Sequence, residues 1–387
     1  MKASRVLWDH PASRAAGLAA IAVTYAVVGA MYLRPFGYDL TAFICNGTRW
    51  NVQEVAPLPL RTDWEAGYDG QAYYLIALYP WDFPTLREHI DIPSYRYQRI
   101  LVPLASHFLS LGHPRAVHVV MIFVGVALVL LGTAAFMEWF RLRGVGWGWA
   151  LLFPLFPGTL HSLMRLTPDA PAVALALVGG WLLARERIGW SAVLFSLAVL
   201  TKETVVLVPA GLALHAAWRR DARRATVLAA PVAVLAAWML VLRVLFGAFP
   251  FLVGGHNMVA PATGILEGIA TNLAMLDRRL SLYVLVGWFN LLMIAQFLVL
   301  AVLSVLELTR RGDYPYRPAL LLLVALTACL SEGTWNFEWS ITRMVLPVSA
   351  YFLVQGLEGG MRPRHKVASL LSLPLAWFMM KWMNLHF

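Results

Sequence analysis

The chain has 387 residues, 60% of them hydrophobic and 13% charged, against ~25% charged in an ordinary water-soluble domain, which sets that class aside in favour of a membrane protein. Its formal charge of +10 rests on 31 Lys and Arg against 21 Asp and Glu; in a bilayer protein the placement of those charges reports topology, and nucleic acid is not an implied partner. Two cysteines, Cys45 and Cys329, make neither a metal cluster nor a disulfide framework.

Residues 15–33 contain no charge and are long enough to cross the hydrocarbon core. Lys2, Arg5 and Arg14 precede them and place the N-terminus in the cytoplasm. The run exceeds the ~7–15 residue core of a signal peptide, so it is read as an anchor. Residues 34–115 turn polar and aromatic, with Asp39, Asp63, Glu65, Asp69, Asp82, Glu88 and Asp91 among many Tyr, Trp and Pro. They are expected to form a first outer loop pressed against the membrane. Within it, residues 99–111 carry Ile100, Leu101, Leu104, Ala105, Phe108 and Leu109 at helical spacing, in a stretch too short to cross and suited to the interface.

Residues 117–137 cross back, and Arg141 and Arg143 follow on the inner side. Three later stretches, 143–185, 187–219 and 317–362, are each bounded by inward-type arginines and therefore require an even number of crossings. The second has 31 apolar residues broken only by Lys202 and Glu203; as a single helix it would be about 46 Å long and end on the wrong side. Each is expected to be a hairpin of two helices. The tips fall at Arg165-Leu166-Thr167-Pro168-Asp169, at Thr201-Lys202-Glu203-Thr204, and in 331–343 with Glu332, Glu338 and Arg343. Residues 226–244, 282–306 and 367–380 supply the remaining spans, the last weakened by Lys381. The expected architecture is one all-α integral membrane domain over 1–387, with about 11 crossings, the N-terminus inside and the C-terminus outside.

Ionisable residues at membrane depth are costly and commonly line a pathway or a site. A tip at Lys202-Glu203 on half-length helices therefore fits a wet cavity, and fits equally a Lys–Glu pair capping two helices at the interface. Arg165 and Asp169 have a comparable alternative: Thr167 as a helix cap, Pro168 in the first turn, and Asp169 placed favourably for the helix dipole. Asp69 is the sharper feature. It lies in Gly67-Tyr68-Asp69-Gly70-Gln71, where glycines permit a tight turn and leave the carboxylate uncrowded, among Trp64, Tyr68, Tyr73, Tyr74, Tyr79 and Trp81. Aromatic faces suit sugar rings, although an ordinary Asp-Gly turn beside an interfacial aromatic belt has the same pattern. Asp39, just after the first span, is the competing carboxylate.

The run Tyr68-Asp69-Gly70-Gln71-Ala72-Tyr73-Tyr74, followed by Tyr95-Arg96-Tyr97-Gln98-Arg99-Ile100-Leu101-Val102-Pro103, resembles the bacterial multi-pass glycosyltransferases of the GT-C superfamily. Thr167-Pro168-Asp169, Leu200-Thr201-Lys202-Glu203-Thr204 and the segment from Phe337-Glu338 through Arg343 to Pro347 are similar to that family's later outer-face motifs. The resemblance implies a sugar transferred from a polyprenyl-phosphate donor to a lipid, glycan or protein acceptor, at the outer face of a bacterial inner membrane and among membrane lipids. A carboxylate in the first outer loop would be the base, which points to Asp69, with inversion at the anomeric carbon if one displacement occurs. Lys202, Arg165 and Arg343 would clamp the lipid phosphate. Arg96 and Arg99 either join them or pair with Asp91 and nearby acids. Tyr68, Gln71 and Tyr73 fall to the substrate, and Glu203, Asp169, Glu338 and Asp39 to supporting roles, Glu203 orienting Lys202 and Glu338 orienting Arg343. Some family members use a divalent ion, Mg or Mn, but no ligand motif such as H-E-x-x-H occurs here.

Two other functions share parts of this pattern. A secondary transporter also buries charges at broken helices, though such folds often repeat them in paired halves. A lipid-linked glycan ligase or polymerase needs the cations but not the aspartate turn.

Overall fold

Apolar segments in a bilayer satisfy their backbone polar groups only within themselves, which favours helix. The computed structural model describes residues 11–62, 65–254, 257–277, 282–310 and 312–376. Among these the chain is helical, with two isolated β-bridges, Asn46 to Thr62 and Met258 to Leu330. Expectations resting on Lys2, Arg5, Asp63, Trp64, Lys381 and the end of the last predicted span lie outside the described residues.

Among the described residues, four helices are long and apolar enough to cross a membrane: Pro11–Phe36, Pro114–Leu142, Ala222–Phe246 and Tyr283–Thr309. Four shorter apolar helices accompany them, Asp169–Ala184, Ile188–Thr201, Glu203–Trp218 and Arg317–Ala328. Outward-facing Val23, Phe123, Leu240 and Val302 are each more than half exposed, as lipid-facing side chains would be.

The α-helices that position the site are α1 (Pro11–Leu33), then α2 (Asp69–Leu78), α3 (Phe83–His89), α4 (Pro93–Tyr97) and α5 (Leu101–Leu109). They continue with α6 (Val117–Leu142), α7 (Pro157–Met164), α8 (Asp169–Ala184), α9 (Ile188–Thr201), α10 (Leu207–Trp218) and α11 (Ala222–Phe246). The last are α12 (Thr263–Leu276), α13 (Leu282–Leu306), α14 (Arg317–Ala328), α15 (Glu332–Asn336), α16 (Glu338–Glu358) and α17 (Pro363–Leu370). The three expected helix breaks all occur: α7 stops before Arg165, α9 stops before Lys202, and α14 is separated from α16 by the one-turn α15. At the first break Thr167 does not cap. Its hydroxyl donates to Ser162 Oγ at 3.2 Å, and Asp169 opens α8.

The core lies along α8 and α16. Every residue of α8 from Asp169 to Gly180 is buried, as is nearly all of α16 from Ile341 to Leu357. Each carries a charged residue near its N-terminal end, Asp169 and Arg343, so the rigid centre of the molecule holds the site. Part of residues 34–115 is built into the core. Helix α2 inserts into the core, with nine of its ten residues buried and Tyr73 and Tyr74 almost inaccessible, and α5 packs against both α2 and α6.

Residues 245–281 held no expected element, yet they contain α12. Ile265, Gly268 and Asn272 turn inward at helical spacing. The amide Nδ2 of buried Asn290 donates to Asn272 Oδ1 at 2.9 Å and to the Asn336 carbonyl at 2.9 Å, which ties α12, α13 and α15 together. Residues 257–262 run beside the end of α14, with Val259 N donating to Cys329 O and Ala262 N to Ala328 O, each at 2.8 Å.

Candidate functional site

The turn carrying Asp69 is built from backbone outward. Gly67 takes a left-handed φ of 62°, and a Cβ there would meet the Gly47 nitrogen at 2.6 Å. Gly70 abuts the Arg165 carbonyl so closely that a Cβ would lie 2.5 Å from it. Gln71 accepts from Gly47 N and donates to Ala66 O, both at 3.0 Å, which fixes the turn on α2. Asp69 thereby opens α2, where the helix dipole favours a carboxylate.

Around Asp69 the charges alternate in sign. Arg96 binds Asp91 bidentately at 2.9 and 2.7 Å and donates through Nη1 to Asp69 Oδ1 at 2.6 Å. Arg343 Nη1 lies 3.3 Å from the other Asp69 oxygen and 3.0 Å from Asp169 Oδ2, and its Nη2 donates to the Tyr68 hydroxyl at 2.5 Å. Asp169 in turn accepts from Lys202. The resulting series is Asp91, Arg96, Asp69, Arg343, Asp169, Lys202. Beside it Arg99 grips Glu203 at 2.9 and 2.8 Å and donates to Tyr73 at 2.6 Å and to Tyr95 at 2.9 Å.

These groups border a cavity of about 550 Å³. Asp69, Arg96, Arg99, Lys202, Glu203 and Arg343 form its charged side. Leu207, Leu235, Met239, Phe251, Leu326 and Met344 form its apolar side. The side chains of Asp69, Asp91 and Glu203 are 19%, 27% and 18% exposed and that of Asp169 1%, so an entering molecule can reach the first three but not Asp169. Burial by itself raises the Asp69 pKa, but Arg96, Arg343 and Arg99 outweigh it and hold the carboxyl well below the usual range. Asp91 is likewise held low, burial being outweighed by Arg96, and burial pushes the Tyr68 phenol up to about 12. Asp69 is thus ionised and engaged at neutral pH.

The structure brings together Asp69, Lys202, Arg343, Arg96, Arg99, Tyr68, Tyr73, Glu203 and Asp169, and it rearranges the expected pairs. Glu203 serves Arg99, and Asp169 holds both Lys202 and Arg343. Glu338 does not orient Arg343, whose Nε donates instead to the Trp339 carbonyl at 3.0 Å. Arg165 is not a wall of the cavity. Its guanidinium stacks on Trp339 at 3.7 Å, with Tyr32 and Tyr68 rings at 5.7 and 5.8 Å, and Nη1 lies 3.0 Å from Cys45 Sγ. A cation held by three rings is an anchor between segments. Gln71 is the turn's brace, and Asp39 caps a short 3₁₀ turn by accepting from Thr41 N at 2.9 Å. Asp91 and Tyr95 carry more of the site than the sequence suggested; the signal was their place in the same basic-aromatic run as Arg96 and Arg99.

A Mg or Mn ion needs several oxygen ligands turned toward one point. Among the described residues no group of three or more His, Cys, Asp and Glu is arranged to hold a metal. Arg96 stands between Asp91 and Asp69, and Arg343 between Asp69 and Asp169, so this donor set does not fit such an ion.

No family model, no curated protein and no solved structure matches the chain.

Proposed function

We propose that this chain is a multi-pass membrane glycosyltransferase that moves a sugar from a polyprenyl-phosphate donor to a hydroxyl acceptor. The observation that carries the reading is the 550 Å³ cavity, whose lining combines three carboxylates (Asp69, Asp91 and Glu203) and four cations with a set of apolar side chains. A lipid-linked sugar phosphate has that same division of chemistry: an apolar tail, an anionic phosphate and a polar ring.

In this reading the acceptor hydroxyl attacks the anomeric carbon while Asp69 takes its proton. The new carbon–oxygen bond forms as the bond from that carbon to the phosphate oxygen breaks. Its electron pair leaves with the polyprenyl phosphate, whose charge Arg343, Lys202 and Arg96 stabilise. One displacement gives inversion. The four cations Arg96, Arg99, Lys202 and Arg343 are already balanced by Asp69, Asp91, Asp169 and Glu203. Donor phosphate therefore competes with Asp69 for Arg343 and Arg96, and frees the carboxylate to act as a base once donor is bound.

The proposed topology has about 11 crossings in a bacterial inner membrane, a GT-C-like first outer loop over 34–115, and the cavity opening to the periplasm. The inward-type arginines bounding each hairpin support it. To test the function, the purified protein is incubated with a panel of polyprenyl-phosphate sugars and a mixed acceptor pool. Consumption of one donor by the wild type and not by Asp69→Asn is expected; undiminished transfer by Asp69→Asn removes Asp69 from the mechanism. A secondary transporter draws on the buried Lys202–Asp169 pair at a helix break. It predicts counterflow of a labelled solute in vesicles without any covalent product.

A further inference from the structure

A second chamber, of about 240 Å³, adjoins the large cavity at Asp69. Tyr68, Asp69, Asp91 and Arg96 border both, so these four side chains form a partition. Where the large cavity has its apolar wall, the small one has Arg49, Trp50, Gln71 and His89. His89 Nδ1 lies 3.1 Å from the Trp50 carbonyl. A carbonyl only accepts, so Nδ1 donates there, and in the tautomer that this bond selects Nε2 is an acceptor. Arg49 lies over the Trp50 ring, 5.6 Å from its centroid, so a cation and an indole stand together in the lining.

The geometry points to this chamber as the acceptor site, and to a single pyranose-sized sugar unit as its occupant; the assignment rests on the glycosyltransferase reading. A sugar ring carries several hydroxyls, and the chamber offers acceptors at Asp69, Asp91 and His89 and donors at Arg96 and Arg49 around one ring-sized volume. A Ser or Thr side chain brings one hydroxyl and would engage only one or two of those groups, whereas a ring with several hydroxyls can engage most of them at once. The wall lacks the aliphatic stretch that a lipid tail requires. Donor and acceptor would then meet at Asp69, which places the base beside both the nucleophile and the phosphate.

The experiment uses the full chain in lipid nanodiscs. Binding of methyl glucoside, galactoside and mannoside is read by saturation-transfer NMR titration, and binding of farnesyl phosphate in parallel. At least one glycoside is expected to bind, with affinity falling about tenfold or more in Trp50→Leu, His89→Gln and Arg49→Ala. Those variants should keep farnesyl phosphate, and Leu235→Trp in the large cavity should do the reverse. Absence of glycoside binding, its persistence in all three variants, its loss in Leu235→Trp, or displacement by a threonine peptide would each overturn the assignment. If the glycoside behaves as expected and farnesyl phosphate fails to bind, the donor reading falls and the sugar chamber stands. An octyl glycoside that binds more tightly than its methyl counterpart, and loses that gain in Leu235→Trp, supports the chamber with a lipid-borne acceptor. Equal binding supports it with a free glycan end.

Discussion

Buried ions gather at both ends of α16, and the two gatherings differ in what they leave open. Near its start, four carboxylates and four cations alternate beside a large cavity. Past its end, Glu307, only 1% exposed, accepts from Arg310 and Arg364 and lies 3.3 Å from His365 Nε2. Arg310 also reaches the Gly359 carbonyl at 3.4 Å. That second cluster walls neither the 550 Å³ nor the 240 Å³ space. It ties the end of α13 to α17. Burying charge is costly in both places, but only the first can exchange a protein carboxylate for an anion arriving from outside.

The contrast is tested most strongly by removing one carboxylate from each. Asp69→Asn keeps the shape and removes the proton acceptor, and transfer should fall by about 10²- to 10⁴-fold with expression and donor binding retained. Glu307→Gln leaves the buried Arg310 and the one-third exposed Arg364 without a counter-ion. It should cost about 3–5 kcal/mol of stability, read as thermal inactivation, while the protein that remains folded keeps its specific activity. Loss of catalysis without loss of stability in Glu307→Gln would erase the distinction between the clusters.

A smaller effect is expected at Lys202. Lys202→Met leaves Asp169 paired with Arg343, so the fold survives and the half-saturating donor concentration should rise more than that of the acceptor. Equal changes in both would make Lys202 a structural partner of Asp169 alone.

The pH response separates the free from the donor-bound site. Because Asp69 is held below the usual carboxylate range, the stability it contributes is present above the unfolded-state pKa of ~3.9 and is lost as pH falls through its lower folded value. For the same reason, kcat/KM should show no acid limb from Asp69 until below ~3.9. In the donor complex the arginines are shared with phosphate, the carboxyl rises, and the acid limb of kcat should appear at higher pH than that of kcat/KM. Coincident limbs would mean that the donor leaves the Asp69 ion pairs intact.

The helix breaks were legible in the chain because a polar, charged step interrupts each apolar stretch that arginines bound. The charged residues of the site were legible as types for the same reason. Their partners were not. Neighbours in sequence, Glu203 beside Lys202 and Glu338 near Arg343, leave the start of a helix in different directions, so the true partner comes from another hairpin, as Asp169 does for Lys202. Arg165 looked like a third clamp, and became an anchor because Tyr32, Tyr68 and Trp339, from three distant segments, close on it. Residues 245–281 gave no element because α12 is short and its inward face is shared by Ile265, Gly268 and Asn272 rather than marked by bulky apolar residues. That segment nevertheless leads into the cavity wall through Phe251 and Met258.

The smallest expected effect tests whether a cavity and charges suffice without burial. A space of about 440 Å³ lies where α6, α8, α10 and α16 end, bordered by Arg143, Arg219, Arg224, Asp313 and Glu358. Its cations are open to solvent, Arg143 40% exposed and Arg219 61%, as is Asp313 at 53%, while Glu358 is 11% exposed. Trp139 Nε1 donates to Glu358 at 2.9 Å, so Arg143→Ala still leaves that carboxylate a partner. An exposed pair of this kind contributes about 0–1 kcal/mol, and transfer by Arg143→Ala should equal that of the wild type. A loss as large as that in Lys202→Met would show that the two ends of α16 are coupled, and that the charge series around Asp69 is only half of the working site.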